Sequence, residues 1–432
     1  MTTAVPLGYP IHEHTLENGL RVIISPDHAV PFVEVNLWYD VGSRDEQPGR
    51  TGLAHLFEHV MFQGSENVPG GDHFNTLQSS GATGNATTWF DRTNYFEAVP
   101  TGVLDLALWL EADRMGNLLP ALTQENLDTQ REVVKEEKRQ RYDNQPYGDT
   151  IDHVLALAFP REHPYGHTVI GSMEDLDAAS LADTHAFFTT WYAPENAVLT
   201  LVGDVTAKDG LAKARKYFGR LPSRGVPPRR RVSPLPPHSD VPRRVTTAPV
   251  PADMLYLQWR TPARGTPVAD AIDIALTVLG GSETSRLYRR LVREEATCTG
   301  AGMSGIPLAW GNSLALGFAR ALDGADLAGV EASLCDEVAR FCSEGPTEAE
   351  LHRAHIQFER EWLAECARLE SRADLFSAHA TMYRDPARVN RRIVEYTAIT
   401  ADRVREAARA WLRPEQRATL EYRRGPMGPQ QW

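Results

Sequence analysis

The pattern of hydrophobic and polar positions predicts a strand-forming segment near the start of each half of the chain. Residues 30–41 are rich in β-branched side chains, and Val33, Val35 and Leu37 recur at every second position. This period of two predicts a β-strand with one face buried in a core. Residues 254–261 have the same character in the second half of the chain. Each half therefore opens with β-structure.

Helical patterns follow these strands in the same order in both halves. Residues 107–117 and 327–341 have the apolar spacing of amphipathic helices. Each is followed by a threonine that can cap a further helix, with an acidic residue close behind it, in TQENL (123–127) and TEAEL (347–351). The repeated order predicts an α+β fold built from a duplicated unit.

A segment rich in proline and arginine separates the two halves. Residues 221–250 have little apolar periodicity, which is typical of a semi-rigid linker. We therefore predict an N-terminal domain over residues 1–225 and a homologous C-terminal domain over residues 226–432, each of a size that can fold as a unit. The expected fold class is α+β, with a mostly antiparallel sheet packed with helices in each domain.

Composition narrows the class of protein. The 432 residues carry 57 acidic and 45 basic side chains, a net charge of −12, whereas binding to nucleic acid requires a basic surface. No apolar run approaches the roughly 18 residues of a membrane span. The first basic residue is Arg21, so we expect neither a signal peptide nor a membrane span, and a cytoplasmic location. The four cysteines form no CxxC pair, and we expect reduced thiols.

The residues best suited to bind a metal ion or to catalyse a reaction lie in TGLAHLFEHVMF (51–62), a sequence that favours a helix. His55 and His59 stand at positions i and i+4, so both project from one face of that helix and can meet at one metal ion. Glu58 lies beside them and can accept a proton from water as a general base. Two histidines satisfied within a core are the simpler alternative. The spacing H-x-x-E-H is, however, the signature of the inverted zincins.

A catalytic zinc ion needs a third protein ligand. Residues 127–141 offer three carboxylates, those of Glu132, Glu136 and Glu137. On a helix Glu137 shares a stripe with the apolar Val134, whereas Glu132 and Glu136 fall on a charged face. The pattern favours Glu137 as the carboxylate that points inward, and a fully solvated run of charges is the alternative.

At this point the chain resembles the pitrilysin family of zinc metallopeptidases, in its mitochondrial-processing-peptidase-like branch. The resemblance covers nearly the whole chain. It rests on the segments TGLAHLFEHVMFQGSENVP (51–69), GATGNATTWFDRTNYF (81–96), QREVVKEEKRQRYDNQPYG (130–148), WYAPENAVLTLVGDV (191–205) and GGSETSRLYRRLVREE (280–295). It implies one zinc ion per chain and a zinc-dependent endopeptidase that hydrolyses unfolded peptides within a clamshell chamber, of which this chain forms half.

The resemblance also implies roles for particular residues. His55, His59 and Glu137 correspond to the zinc ligands of the family, and Glu58 corresponds to its general base. Gln130 stands where many relatives carry a glutamate that supports a ligand, and its amide can still orient a ligand through a hydrogen bond. This departure from the family bears on metal affinity rather than on which metal binds.

A third implication concerns the substrate. The family binds an extended peptide along an edge strand, through main-chain hydrogen bonds. Residues 81–99 read as a hairpin close behind the motif helix, and Asn85, Ala86 and Thr87 are the candidate substrate-binding residues. A plain structural hairpin is the alternative, because backbone pairing requires no particular side chain.

The second half departs from the family where active relatives carry an arginine and a tyrosine in a pattern such as LRxxxxLxY. Aligning residues 291–299 with that pattern puts Val292 and Thr299 at these positions, with Arg293 one step from the arginine. The resemblance then implies a zinc-bearing subunit that needs a homologous partner subunit, as a heterodimer. The alternatives are a homodimeric peptidase in which Arg293 compensates, and a non-catalytic structural subunit of the same fold.

Overall fold

The computed structural model of the protein describes residues 5–229 and 232–426. The described residues form two compact units, each assembled from separate stretches of the chain. The stretches of the first unit are 5–138, 167–229 and 361–393, and those of the second are 139–166, 232–360 and 394–426.

The first unit contains a mixed sheet that is antiparallel at every pairing except one. Its strands are β1 (His12–Thr15), β2 (Arg21–Pro26), β3 (Phe32–Tyr39), β4 (Thr83–Thr88), β5 (Thr93–Pro100) and β6 (Ala197–Gly203). Their order in the sheet is β1-β2-β6-β3-β5-β4, and the parallel pair is β2 with β6. Val33, Val35 and Leu37 are all fully buried, but the alternate residues Glu34, Asn36 and Trp38 are buried as well, so both faces of β3 are covered rather than one. Strand β4 lies at one edge of the sheet.

The second unit contains a sheet with the same connectivity. Its strands are β7 (Arg243–Ala248), β8 (Met254–Pro262), β9 (Cys298–Ile306), β10 (Asn312–Ala321) and β11 (Ala418–Arg424). Their order is β7-β11-β8-β10-β9, with β7 and β11 parallel and the other neighbours antiparallel. This matches β2-β6-β3-β5-β4 strand for strand. The repeated order and directions confirm the predicted duplicated α+β fold with mostly antiparallel sheets.

Helices occupy equivalent places between these strands. The helices before the seam are α1 (Leu53–Val60), α2 (Asp72–Ser79), α3 (Leu104–Asn117), α4 (Gln124–Lys138), α5 (Thr150–Ala158), α6 (Met173–Ala178), α7 (Leu181–Trp191) and α8 (Ala207–Phe218). Those after it are α9 (Pro267–Gly280), α10 (Arg286–Tyr288), α11 (Leu327–Glu344), α12 (Glu348–Ala367), α13 (Leu369–Tyr383), α14 (Arg388–Thr397) and α15 (Ala401–Trp411). Helices separate β3 from the hairpin of β4 and β5, and β8 from the hairpin of β9 and β10. A longer helical stretch precedes the last strand of each sheet, β6 or β11.

The compact units do not coincide with contiguous halves of the chain. Residues 139–166 belong to the second unit although they precede the proline-rich seam, and residues 361–393 belong to the first unit although they follow it. Compactness follows packing rather than chain order. The boundary between residues 225 and 226 therefore stays a prediction about the sequence repeat.

Helix α13 is the element from the second half that completes the first sheet. It packs on β3 and β6. The Ser377 hydroxyl of α13 donates a hydrogen bond to Thr200 Oγ1 at 2.8 Å and lies 3.4 Å from Asn36 Oδ1. The helix therefore covers the sheet face on which Asn36 lies, and helix α1 contacts β4 and β5.

Candidate metal centre

Helix α1 carries the H-x-x-E-H motif, and aromatic packing fixes its buried side. Leu56, Phe57 and Val60 are fully buried. The Phe57 ring lies 5.7 Å from that of Phe188 and 4.6 Å from that of Tyr192. These apolar contacts leave the opposite side of α1, with its histidines and its glutamate, partly exposed.

The start of α1 is held by a close backbone crossing. Gly52, immediately before the helix, has φ of +87°, and a Cβ at this position would lie 2.5 Å from the carbonyl oxygen of Ile170. Only glycine avoids both the left-handed strain and the clash. A hydrogen bond also fixes the start of α1, since the backbone N–H of Thr51 donates to Asp175 Oδ2 at 3.0 Å.

A buried carboxylate caps the same helix end. Glu46 Oε2 accepts a hydrogen bond from the Gly52 N–H at 2.9 Å, and Oε1 accepts one from the Ala54 N–H at 2.6 Å. The Glu46 side chain has no exposed surface. Burial raises the pKa of this carboxyl well above its ordinary range, and the two backbone donors act in the opposite direction. Glu46 satisfies amides that the first turn of a helix leaves without partners.

We expect Glu46→Ala to destabilise the protein by about 1–3 kcal/mol, because it leaves two buried N–H groups unsatisfied. Hydrogen exchange should accelerate first in residues 53–60, and the free energy of unfolding in urea should fall. Glu162→Ala, at an exposed position, is the control and should change neither quantity. Unchanged exchange in α1 of the Glu46 variant would contradict the capping role.

The structure brings the two histidines and one distal carboxylate together. Glu137, near the end of α4, has its Oε2 atom 3.7 Å from His55 Nε2 and 3.4 Å from His59 Nε2. One nitrogen or oxygen atom from each of the three residues lies within 4.8 Å of the others. Two imidazoles and one carboxylate are the donor set of a catalytic zinc ion, which keeps a further position open. The residues present therefore fit a divalent metal ion.

The neighbouring carboxylates of α4 point elsewhere. Glu132 and Glu136 are exposed, and Glu132 accepts a hydrogen bond from Lys135 at 3.0 Å. Gln130 is buried on the same side of the helix as Leu127 and Val134. Glu132 and Glu136 therefore lie away from the buried stripe of α4. Glu137 lies near the histidines because α4 packs against α1.

Glu58 is held by a residue of the edge strand. Thr88, the last residue of β4, donates a hydrogen bond from its hydroxyl to Glu58 Oε2 at 2.5 Å. Burial raises the pKa of the Glu58 carboxyl above its ordinary 4.5, and the Thr88 hydrogen bond and the charge of His59 oppose this rise. The geometry suits a group that takes and returns a proton.

The candidate substrate residues lie on strand β4. Asn85 is exposed, Ala86 is buried and Thr87 is half-buried. The pair Trp89 and Arg92 is hydrogen-bonded, from Trp89 N–H to the Arg92 carbonyl at 2.9 Å. Because bonded pairs alternate along an antiparallel ladder, Asn85 and Thr87 turn their backbone groups toward β5. Ala86 turns its backbone groups outward, and its N–H is bonded at 2.9 Å to the Asn85 side chain.

Val292 and Thr299, the positions that the resemblance aligns with an arginine and a tyrosine, lie in the second unit. Val292 is part of a π-helical turn over residues 289–294, and Thr299 is exposed on β9. Arg293 is also exposed, with its guanidinium 3.9 Å from Glu283 and 5.6 Å from the Tyr288 ring centroid. Within the described residues of this unit no three potential ligands converge as they do at His55, His59 and Glu137.

Sequence reasoning missed three residues that build the centre, namely Gly52, Glu46 and Thr88. Gly52 offered a signal, since a glycine directly before a helix often marks a constrained start. Glu46 and Thr88 offered none, because each reaches α1 through the folding of a loop or a strand. Among described residues, no helix combines the length and the apolar character that crossing a membrane requires.

Comparison with known proteins agrees with this arrangement. Residues 21–172 match the family model described as insulinase (peptidase family M16), and residues 178–358 match the model described as the peptidase M16 inactive domain. The candidate ligands and Glu58 all fall in the first of these regions. The zinc protease PqqE of Helicobacter pylori is 33% identical over 66% of this chain, and the match spans 64% of that relative's length.

Other relatives extend the coverage. An uncharacterized zinc protease of Mycobacterium tuberculosis is 32% identical over 78% of this chain and 76% of its own length. The mitochondrial-processing peptidase subunit beta of Blastocladiella emersonii is 29% identical over 54% of this chain and 49% of its own. A crystal structure of a Helicobacter pylori protease superposes with a TM-score of 0.86 at 25% identity, covering 97% of this chain and all of that one. The chain belongs to the M16, or pitrilysin, family of zinc metallopeptidases.

Proposed function

We propose that this chain is the zinc-bearing subunit of an endopeptidase that hydrolyses unfolded peptides. The observation that carries the proposal is the convergence of Glu137 on His55 and His59, within 3.4–3.7 Å. In this proposal the three residues hold one zinc ion per chain. Glu58 is the general base, and Gln130 supports the ligand helix from its buried side.

A zinc ion, when bound, supplies Lewis acidity, which polarises a peptide carbonyl and lowers the pKa of water from about 15.7 toward 7. Glu58 accepts the proton of the attacking water and returns it to the amine of the leaving half. Thr88 fixes one oxygen of Glu58, so the other oxygen is the one that handles the proton.

The substrate, in this proposal, adds a strand to the outer edge of β4. The outward backbone groups of Ala86 are the candidate partners, since β4 is an edge strand of its sheet. The Asn85 side chain already bonds the Ala86 N–H, so a peptide carbonyl has to displace it. Main-chain recognition of this kind favours extended peptides over folded proteins.

A homologous partner subunit is part of the proposal. The absence of an arginine and a tyrosine at Val292 and Thr299 supports it, and so does the similarity to a relative named as a subunit. The intact set of His55, Glu58, His59 and Glu137 argues against a purely structural subunit.

The test is hydrolysis of an unstructured peptide mixture by the purified chain, alone and after addition of a homologous chain that carries the arginine and tyrosine but no H-x-x-E-H motif. We expect bound zinc in the chain alone, weak hydrolysis alone, and at least a tenfold increase with the partner. A chelator should abolish the activity and zinc should restore it. Strong hydrolysis by the chain alone would favour the homodimeric alternative, and a metal-free inactive chain would refute the proposal.

A further inference from the structure

A second group of potential metal ligands lies inside the first compact unit. His73 stands in the first turn of α2, Glu97 on β5 and Glu111 on α3. One nitrogen or oxygen atom from each residue lies within 4.8 Å of the others, as at the candidate metal centre. Their exposed fractions are 4%, 2% and 0%. We refer to these three residues as the buried cluster.

The spacing within the buried cluster suits a metal ion better than a hydrogen bond. His73 Nε2 lies 3.7 Å from Glu111 Oε1 and 3.8 Å from Glu97 Oε1. Both distances exceed the range of a hydrogen bond. Two ligands of a tetrahedral zinc ion, at bond lengths of about 2.0–2.2 Å, lie about 3.3–3.6 Å apart. The buried cluster is therefore only slightly wider than a zinc coordination sphere, and its spacing is close to the 3.4–3.7 Å found around Glu137.

The negative charge of the buried cluster exceeds the positive charge that faces it. Arg114 donates from its Nε to Glu111 Oε2 at 3.0 Å and from its Nη2 to Glu97 Oε1 at 3.5 Å, and it also bonds Glu111 Oε1. One guanidinium thus serves two carboxyl groups. Burial, reinforced by the charge of Glu111, raises the pKa of the Glu97 carboxyl well above its ordinary 4.5. Without a further cation, Glu97 therefore holds a proton.

A proton leaves two polar atoms of the buried cluster unsatisfied. His73 Nε2 and Glu97 Oε2 have no hydrogen-bond partner among the described residues. Leaving buried polar atoms unpaired is costly. Burial, together with the charge of Arg114, lowers the pKa of His73 to about 3, so its ring is neutral and can present a lone pair to a metal. A metal ion can bind both atoms, whereas a proton shared between the carboxyl groups reaches neither.

We propose that the buried cluster is a second metal site, structural in role, that holds one zinc ion. His73 Nε2, Glu111 Oε1 and both oxygens of Glu97 supply four ligand atoms, the number found in closed structural sites. The imidazole favours zinc over magnesium or calcium, which prefer oxygen ligands alone. The ion replaces the proton of Glu97, which leaves to solvent. Arg114 keeps its bonds to Glu111, because a carboxylate oxygen has two lone pairs.

The proposed ion joins elements that support the motif helix. Helix α3 packs on α2 and β5, and β5 also contacts α1. Phe62, two residues beyond the end of α1, has its ring centroid 5.7 Å from that of His73 and 4.2 Å from that of Phe74. An ion at the buried cluster therefore fixes the packing beneath α1 without touching a substrate.

The experiment counts metal in the full chain, produced with zinc in the growth medium and then dialysed against EDTA. The chelator can reach the candidate metal centre, since the side chains of His55, His59 and Glu137 are 13–23% exposed, whereas the buried cluster is enclosed. We expect elemental analysis to find one zinc ion per wild-type chain after dialysis. Glu137→Gln should retain that ion as well, which separates this site from the proposed peptidase centre.

Glu97→Gln tests the ligand assignment in a chain that should still fold, because glutamine has the size and neutrality of the protonated Glu97 carboxyl. It should lose the retained zinc, since even a residue that only supports a ligand contributes about 10- to 100-fold to metal affinity. His73→Gln should lose it too, with an unchanged circular dichroism spectrum in both variants. Glu34→Gln is the matched control, because Glu34 is equally buried on the neighbouring strand β3 but lies on the opposite sheet face from Glu97, and it should keep the ion.

Two results would overturn the second metal site. A wild-type chain that is free of metal after dialysis would leave the shared proton as the occupant of the buried cluster. A zinc ion that the folded Glu97→Gln and His73→Gln chains both retain would place the bound metal elsewhere.

Discussion

Glu58→Gln is expected to retain bound zinc and to lose hydrolysis by a factor between about 10² and 10⁴, the usual contribution of general acid–base catalysis. Glutamine keeps the size of the side chain and can still meet the Thr88 hydroxyl, with its carbonyl oxygen as acceptor. It cannot accept and return a proton. The measurements are zinc content by elemental analysis and initial rates on an unstructured peptide, both on folded protein of unchanged melting temperature.

Glu66→Gln serves as the control for this change. Glu66 is exposed in the loop that follows α1, and it touches neither the histidines nor Glu137 among the contacts of the structure. Its substitution should leave the rate within about twofold of wild type, as expected for a surface change. A Glu58→Gln protein with full zinc and full activity would remove Glu58 from the mechanism.

The second large effect is expected at the third candidate ligand. Glu137→Gln should weaken zinc binding by more than about 100-fold, because loss of a residue that merely supports a ligand already costs 10- to 100-fold. Hydrolysis should fall in parallel at low zinc concentration. Competition with a zinc chelator of known affinity measures the change directly, without relying on activity.

The adjacent residue provides a stringent comparison. Glu136→Gln makes the same chemical change one position earlier on α4, at an exposed side chain. We expect wild-type zinc affinity in that variant. If the two variants lost zinc equally, the carboxylates of α4 would attract the ion only through their combined negative charge. The assignment of Glu137 as a ligand would then fail.

Much of the candidate centre could be predicted from local sequence because it depends on helical periodicity. His55 and His59 share a face by their spacing alone, and Glu137 differs from Glu136 by its place relative to Val134. Both relations are fixed within a single helix. The distance between Glu137 and the histidines depends on how α4 packs on α1, and only the resemblance to a family anticipated it.

Contacts made by non-local packing could not be predicted. Nothing in the local sequence around Glu46 indicates that its carboxylate caps α1, and nothing around Thr88 indicates that its hydroxyl meets Glu58. Helix α13 is a stronger case, since it lies far from β3 and β6 in sequence and contacts them only because it packs on the first sheet.

By itself the sequence determined the strand near the start of each half, the repeated α+β order and the face of α1 that bears the histidines, because alternation and helical spacing are properties of short segments. The tertiary structure decided which segments complete each compact unit: residues 361–393 join the first and residues 139–166 join the second. The physical reason is that burying apolar surface lowers the free energy of the folded state, whatever the position in the chain of the segment that covers a sheet face.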